Sequence, residues 1–269
     1  VRGATVADAL EGAATAIGAG GSPTPRLDAE VLLAHVLGLD RTALFTGPDR
    51  TVEGPAVRRY QDLVRRRSIG HEPIAYLVGR RGFRHLELEV DPRVLIPRPE
   101  TEHVVEAVVE LAPPGARVVD VGTGSGAIAL ALKDERPDLA VTASDVSPEA
   151  LAAARANAAR LGLDVAFAQA DLVPPGAWDV IVSNPPYVAE GDELGLGVRA
   201  HEPPLALFAG ADGLDVLRRL VEVRAPLLVV EVGAGQAAEV AALAGAAGYG
   251  RTEVRPDLAG IDRVVVAWA

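Results

Sequence analysis

The sequence predicts an α/β protein with a seven-stranded sheet, parallel except at its last strand. A small N-terminal helical domain is joined to it by a β-hairpin. Three observations carry this expectation. Residues 1–70 show helical spacing only. Residues 98–269 alternate short apolar runs with stretches of helical periodicity, the pattern of a parallel sheet covered by helices. The last two apolar runs are separated only by Pro256 to Ile261, too short a link for a parallel crossover, so they should pair antiparallel.

The elements follow in order. Thr5 suits the cap of a first helix, with Val6, Ala9, Leu10, Ala13 and Ala14 on one side. A second helix begins at Pro25, carries Leu27, Val31, Leu32 and Val36 near helical spacing, and stops at Gly38. Pro55 opens a third, in which Val57, Tyr60, Leu63 and Val64 form an apolar stripe opposite Arg58, Arg59 and Arg65–Arg67. Residues 71–97 form the connector. Ile74–Val78 is expected as one strand, Gly79 to Gly82 as the turn, and Phe83 to Val90, with alternating Leu86, Leu88 and Val90, as the returning strand. In the third region, 98–269, strands are expected at 117–121, 140–144, 164–168, 178–183, 226–232, 250–255 and 262–268. Helices are expected at 100–111, 126–134, 148–161, 213–223 and 235–246.

Bulk properties narrow the function classes. With 269 residues and 49% apolar content the chain can bury a sizeable core. No apolar run approaches the roughly 18–20 residues of a membrane span, and Val1 to Thr5 lack the pattern of a secretory signal, so a soluble cytoplasmic protein is expected. Cysteine is absent, which removes disulfides, thiolate metal sites and cysteine nucleophiles. The five histidines show no ligand spacing, so no metal is expected. Net charge is -11, against the basic face of a free-standing nucleic-acid binder. The charge is uneven: residues 1–97 hold 13 Arg against 12 acidic residues, whereas 98–269 hold 13 basic against 25 acidic. Arg65–Arg67, Arg80, Arg81 and Arg84 are read as a solvated charged face in preference to a docking patch.

Two motifs carry chemistry. The first follows the strand Val118-Val119-Asp120-Val121 as Gly122-Thr123-Gly124-Ser125-Gly126 and runs into a helix. Glycines there allow a sharp turn and close approach of backbone to a ligand. Asp120 can accept from an ammonium group or orient the loop. Asp145, at the next strand's end, can grip two ribose hydroxyls, and Asp171-Leu172, after the third, can meet an adenine through its exocyclic amine and its face. A dinucleotide dehydrogenase would pass the same glycine filter.

The second motif, Ser183-Asn184-Pro185-Pro186-Tyr187, ends a buried strand. Its prolines stiffen the turn and leave carbonyl groups free to accept. The Asn184 side chain and the Pro185 carbonyl can accept both protons of one planar NH2 group, and Tyr187 can stack on it. Two acceptors concentrate electron density on a poor amide nucleophile and aim it. A nicotinamide dehydrogenase gives this motif no purpose. An N6-adenine or N2-guanine nucleic-acid methyltransferase would use it, but with a basic recognition surface. A non-catalytic binding module would not need it.

Taken with Pro73–Gly79, Phe83, Leu95-Ile96-Pro97-Arg98-Pro99-Glu100-Thr101-Glu102, the stretch from Glu202-Pro203 to Asp212-Gly213-Leu214, and Glu231-Val232-Gly233 with Gln236, these motifs resemble the release-factor glutamine methyltransferases, the HemK family. The resemblance implies a Rossmann-like methyltransferase sheet. It implies S-adenosylmethionine held by Gly122–Gly126, Asp145, Leu172 and Asn184. It implies a glutamine amide held by Asn184, Pro185, Pro186 and Tyr187, and methylation at N5 of the Gly-Gly-Gln glutamine of class-1 release factors, gripped in part by the helical domain. Arg98, Thr101 and Glu102 would line the cofactor pocket. A monomer with no stable nucleic-acid or membrane partner is expected. Leu172 stands where relatives can carry an aromatic, and His201 receives no role.

Overall fold

The computed structural model describes residues 4–269. The stretch read for a secretory signal therefore falls mostly on residues 1–3, outside the described residues. Among the described residues no helix is long and apolar enough to cross a membrane. The chain forms two compact units. One takes the chain up to Gly79 together with Leu194–His201; the other takes Arg80–Glu193 and Glu202–Ala269.

The first unit contains β1 (Ala4–Thr5), α1 (Val6–Ala19), α2 (Pro25–Leu37), α3 (Thr42–Thr46), β2 (Thr51–Val52), α4 (Pro55–Ser68) and α5 (Ile74–Val78). Thr5 caps α1 as expected: its Oγ1 accepts from the Asp8 N–H at 3.1 Å while the Asp8 carboxylate accepts from the Thr5 N–H. Gly38 ends α2 in the left-handed region. Leu10, Ile17, Leu32 and Leu33 fill the core, and the Tyr60 hydroxyl donates to the Ala29 carbonyl at 3.0 Å. Arg66 pairs with Glu72 and Arg67 with the buried Asp28, so these arginines serve their own fold.

Ile74–Val78 is a short helix, not the strand expected from the sequence. The run is apolar throughout and lacks alternation, so its period could not choose between the two. Pro73 and Gly79 decide it: the Tyr76 and Leu77 N–H groups donate to the Pro73 carbonyl, and Gly79, at φ 76°, closes the turn. The hairpin is shorter and lies later, with β3 (Arg80–Phe83) paired antiparallel to β4 (Leu86–Glu89), so that Phe83 faces Leu86 across the turn at Arg84. Arg84 pairs with Glu135 and Glu106.

The second unit continues through a 3-10 turn (Pro99–Thr101) into α6 (Glu102–Leu111), then β5 (Arg117–Val121), α7 (Ala127–Glu135), β6 (Ala140–Asp145), α8 (Pro148–Leu161), β7 (Ala166–Gln169) and β8 (Val180–Ser183). α9 (Leu196–His201), assigned to the first unit, was not anticipated; its His201 ring nitrogen lies 2.7 Å from the Gly70 carbonyl oxygen. A 3-10 turn (Pro204–Ala206), α10 (Asp215–Glu222), β9 (Leu227–Glu231), α11 (Ala237–Ala246), β10 (Arg251–Pro256) and β11 (Asp262–Trp268) complete the chain.

The sheet order is β10-β11-β9-β8-β5-β6-β7, with β11 antiparallel to both of its neighbours and all other pairings parallel. Alternate strand residues feed two cores. Val118, Val180 and Val229 meet α6 and α7 on one face, while Val119, Ile181 and Val230 meet α10 and α11 on the other. Trp178 and Trp268 pack partly buried against these cores. The chain leaves β5 towards β6 and β7, then returns to place β8 on the opposite side of β5. Open α/β sheets bind ligands at such a reversal, beyond the carboxyl ends of the strands.

Asn157 ties the hairpin to this sheet. It is fully buried, accepts from the Glu89 N–H at 2.8 Å, and donates to the Glu89 and Ser125 carbonyls at 3.0 Å each. Asn157→Ala strands these groups, and urea denaturation should show a loss of about 2–4 kcal/mol.

Candidate active site

The glycine loop sits at the carboxyl end of β5. Gly122, Gly124 and Gly126 all have positive φ, at 71°, 57° and 87°. They do different work. A Cβ at Gly126 would come within 2.9 Å of Leu130 and 3.3 Å of Ala154, so this glycine lets α7 pack. A Cβ at Gly122 or Gly124 would meet nothing within 4 Å, so these two present bare backbone to open space. Thr123 and Ser125 point inward and are buried. The Thr123 N–H donates to the Ser144 carbonyl at 2.9 Å, and its hydroxyl donates to Asp120 Oδ2 at 2.6 Å.

Asp120 is the loop's anchor. It has no exposure, and Oδ2 also accepts from the Ala129 N–H at 3.1 Å. Its Oδ1 is buried without a partner. Burial pushes its pKa up to about 7, against the Thr123 and Ala129 hydrogen bonds that lower it. Of the two roles expected for Asp120, orienting the loop is the one its contacts display, while the free Oδ1 leaves room for a donor.

A cavity of about 360 Å³ opens beside Gly122 and Gly124. Asp145 borders it. One carboxylate oxygen accepts from the Gly124 N–H and the other from the Ser147 N–H, both at 2.9 Å, which fixes the carboxylate against the loop. Leu172 and Asp171 form part of the wall. Leu172 holds φ at 74°, a conformation strained for a branched residue, and strain of this kind concentrates at ligand sites. Asp171 pairs with Arg219 at 2.8 Å, a partner not anticipated.

The second motif borders the same cavity. β8 lies directly beside β5, and the Ser183 hydroxyl donates to the Val121 carbonyl at 2.7 Å. Asn184, Pro185 and Pro186 line the space that Gly122 and Gly124 face. Asn184 Nδ2 donates to the Thr101 hydroxyl oxygen at 2.9 Å, which leaves Oδ1 as the free end of the amide. Tyr187 stands behind the corner, outside the cavity wall. Its hydroxyl donates to Glu231 Oε1 at 3.1 Å and its carbonyl accepts from Gln236 Nε2 at 3.0 Å. Gly213 and Gly233 are required by this packing, since a Cβ there would lie 2.2 Å from the Tyr187 oxygen and 3.2 Å from its ring. Burial raises the Tyr187 pKa, with Glu231 adding to the rise.

Sequence reasoning left Thr101, Glu202 and Glu231 without their observed tasks. Thr101 supports Asn184 from behind, and Glu102 accepts from the Arg84 N–H, so neither borders the cavity. Arg98 does not border it either: it is bound by Glu202 at 2.5 Å. The buried Glu202 also accepts from the Ile96 N–H at 3.1 Å, and this clasp holds the segment beginning at Pro203, with Leu205 and Phe208, along the cavity rim. Glu231 ends β9 and has 1% exposure. Burial raises its pKa to about 7, while the Thr101 and Tyr187 hydroxyls and Arg263 pull it down.

Comparison with known proteins places this geometry. Residues 8–79 match the PrmC N-terminal domain and residues 101–199 the methyltransferase small domain. The chain is 44% identical to the release factor glutamine methyltransferase of Koribacter versatilis, over 97% of this chain and 98% of that one. The chain belongs to the release factor glutamine methyltransferase family. The Deinococcus radiodurans member is 42% identical over 97% of each chain. Among solved structures, the release factor-specific protein-(glutamine-N5) methyltransferase of Alicyclobacillus acidocaldarius is 34% identical, covering 67% of this chain and 98% of that one at a TM-score of 0.40. A methyltransferase from Pyrococcus furiosus is 17% identical at a TM-score of 0.50, covering 79% and 96%, and shares the fold.

The methyl donor of the family is S-adenosylmethionine, and the residues present fit it. Two glycines face open space where a side chain would intrude, Asp145 presents a fixed carboxylate, Leu172 offers an apolar surface, and Asp120 keeps an unsatisfied acceptor. Gly122→Ala should therefore weaken S-adenosylmethionine binding by at least about tenfold in isothermal titration, because the added methyl enters the ligand's space and strains a left-handed residue. Asp120 yields a pH test. Its folded pKa lies above the unfolded value of about 4, so its contribution to stability is full below that pH and is lost as pH rises through about 7. In urea melts Asp120→Asn should flatten part of this decline.

Proposed function

We propose that this enzyme methylates the N5 amide nitrogen of the glutamine in the Gly-Gly-Gln motif of class-1 peptide-chain release factors. The carrying observation is the Asn184 amide. Its nitrogen end is committed to Thr101, so its oxygen end is left for the cavity that the glycine loop also borders. The names of the relatives support the substrate.

In this reading Gly122, Gly124, Asp145 and Leu172 hold S-adenosylmethionine, and Asp171 stands at the adenine end. When bound, the cofactor supplies a sulfonium methyl group, a strong electrophile. The chain's own residues make the nucleophile competent. Asn184 Oδ1 and the Pro185 carbonyl accept the two protons of the glutamine NH2. That fixes the plane of the amide and raises electron density on nitrogen. Pro185 and Pro186 keep the carbonyls in place by removing backbone freedom. Tyr187, braced by Glu231 and Gln236, gives the turn a rigid backing and a ring to pack near the substrate. Charge that develops on nitrogen is met by acceptors already aligned, and the methylated amide loses its proton without a dedicated base. The helical N-terminal unit contributes to gripping the protein substrate, and the enzyme acts as a monomer in the cytoplasm without stable nucleic-acid binding. The acidic balance of residues 98–269 supports protein over nucleic acid as substrate.

Mass spectrometry of a release factor incubated with enzyme and S-adenosylmethionine tests this. One added methyl group on the Gly-Gly-Gln glutamine is expected. Asn184→Ala should lower the rate by at least about a hundredfold while the enzyme keeps its thermal melting profile. Methylation of a nucleic acid in place of the protein would refute the proposal.

A further inference from the structure

An ion pair stands on the cavity wall. Arg219 Nη2 donates to Asp171 Oδ2 at 2.8 Å, and both residues border the space that Gly122 and Gly124 also border. α10 delivers the arginine. Leu217, Leu220 and Val221 bury one face of this helix, while Val216 and Arg219, three positions apart and so on one side, reach the cavity. The adjacent Arg218 is bound to Asp212, so the two arginines do separate work. Asp171 comes from the turn after β7, next to Leu172 in its left-handed conformation.

Neither partner is saturated. Among the described residues, nothing bonds to Asp171 Oδ1 or to Arg219 Nε and Nη1. The side chains are 67% and 51% exposed, and an ion pair this open adds little stability. Its placement on a ligand cavity points to recognition instead. Side by side, the pair presents an acceptor oxygen and N–H donors. Adenine has the complementary edge, a donating amino group beside an accepting ring nitrogen. A 6-oxo purine carries an accepting oxygen where adenine has the amine. Set against a carboxylate, that oxygen is acceptor against acceptor. A lone aspartate could swing away from the mismatch. One tied to a planar guanidinium must break the ion pair to do so.

We propose that Arg219 is a specificity-determining residue for the base of the cofactor. Bound to Asp171, it fixes the carboxylate as the acceptor for the adenine amine and brings a donor for the neighbouring ring nitrogen. This rests on the role given above to Asp171 at the adenine end of S-adenosylmethionine. Arg219 turns that single contact into a paired reading of an edge, which rejects the deaminated base.

Isothermal titration of the full chain with S-adenosylhomocysteine and with its 6-oxo analogue, S-inosylhomocysteine, tests this without any methyl transfer. Wild type should prefer the amino compound by at least about thirtyfold. Arg219→Met keeps an unbranched apolar stem but removes the fork, and should cut that ratio at least about fivefold. Asp171→Asn can donate its own NH2 to the 6-oxo oxygen, so it should bind the inosine compound more tightly than wild type does. The ratio is the decisive readout, because a purely structural loss weakens both ligands alike. Should Arg219→Met fail to fold, Asp171→Asn still decides the matter. Gly122→Ala separates this inference from the reading beneath it. If that variant binds S-adenosylhomocysteine normally, the cofactor lies outside this cavity and both fall. If Gly122→Ala weakens binding, the cofactor site stands. The inference alone is then overturned by a wild type that takes both ligands equally, or by a ratio that Arg219→Met leaves unchanged.

Discussion

The adjacency of β5 and β8 is the constraint on which the site depends. β5 delivers the glycine loop and β8 delivers Asn184, and their parallel pairing from Val118 with Val180 to Val121 with Ser183 brings both turns out at the same level. The Ser183 hydroxyl bound to the Val121 carbonyl pins them at the last residue before each turn. A register slip of one residue would reverse every side chain on β8 and carry Asn184 away from the cavity. Both faces of these strands are fully packed, so the register is held by two cores at once.

Around that junction the protein buries carboxyl groups where apolar residues would be less costly. Asp120 shapes the glycine loop, Glu202 clasps the rim through Arg98 and Ile96, and Glu231 holds the Tyr187 hydroxyl. Buried charges rarely add net stability, but they fix the direction of hydrogen bonds. Direction is what an amide grip requires, since an asparagine is useful here only with its oxygen forward. The catalytic corner itself has no charge; the nitrogen end of Asn184 is held by Thr101, which lies outside the cavity wall.

Much of the architecture was legible in the sequence because it rests on local pattern. The seven strands, the glycine loop and the proline-stiffened corner each occupy a continuous stretch with a physical reason in its own residues. What was missed is non-local or ambiguous in period. Thr101 lies 83 positions before its partner Asn184, and Glu231 lies 44 positions after Tyr187, so no spacing announces either contact. The same holds for Glu202 and Arg98, 104 positions apart. Ile74–Val78 read as a strand because five apolar residues have no period to judge, and the flanking Pro73 and Gly79 turned it into one helical turn. Tyr187 was expected to stack on the substrate NH2 through its ring; the bond its hydroxyl makes to Glu231 has no signal in the sequence.

The most direct measurement is a crystal structure with S-adenosylhomocysteine and a peptide containing Gly-Gly-Gln. The glutamine NH2 should lie between Asn184 Oδ1 and the Pro185 carbonyl, each within hydrogen-bond distance, with Asn184 Nδ2 still on Thr101. A glutamine bound elsewhere, or an Asn184 that turns its nitrogen to the substrate, would contradict the amide grip.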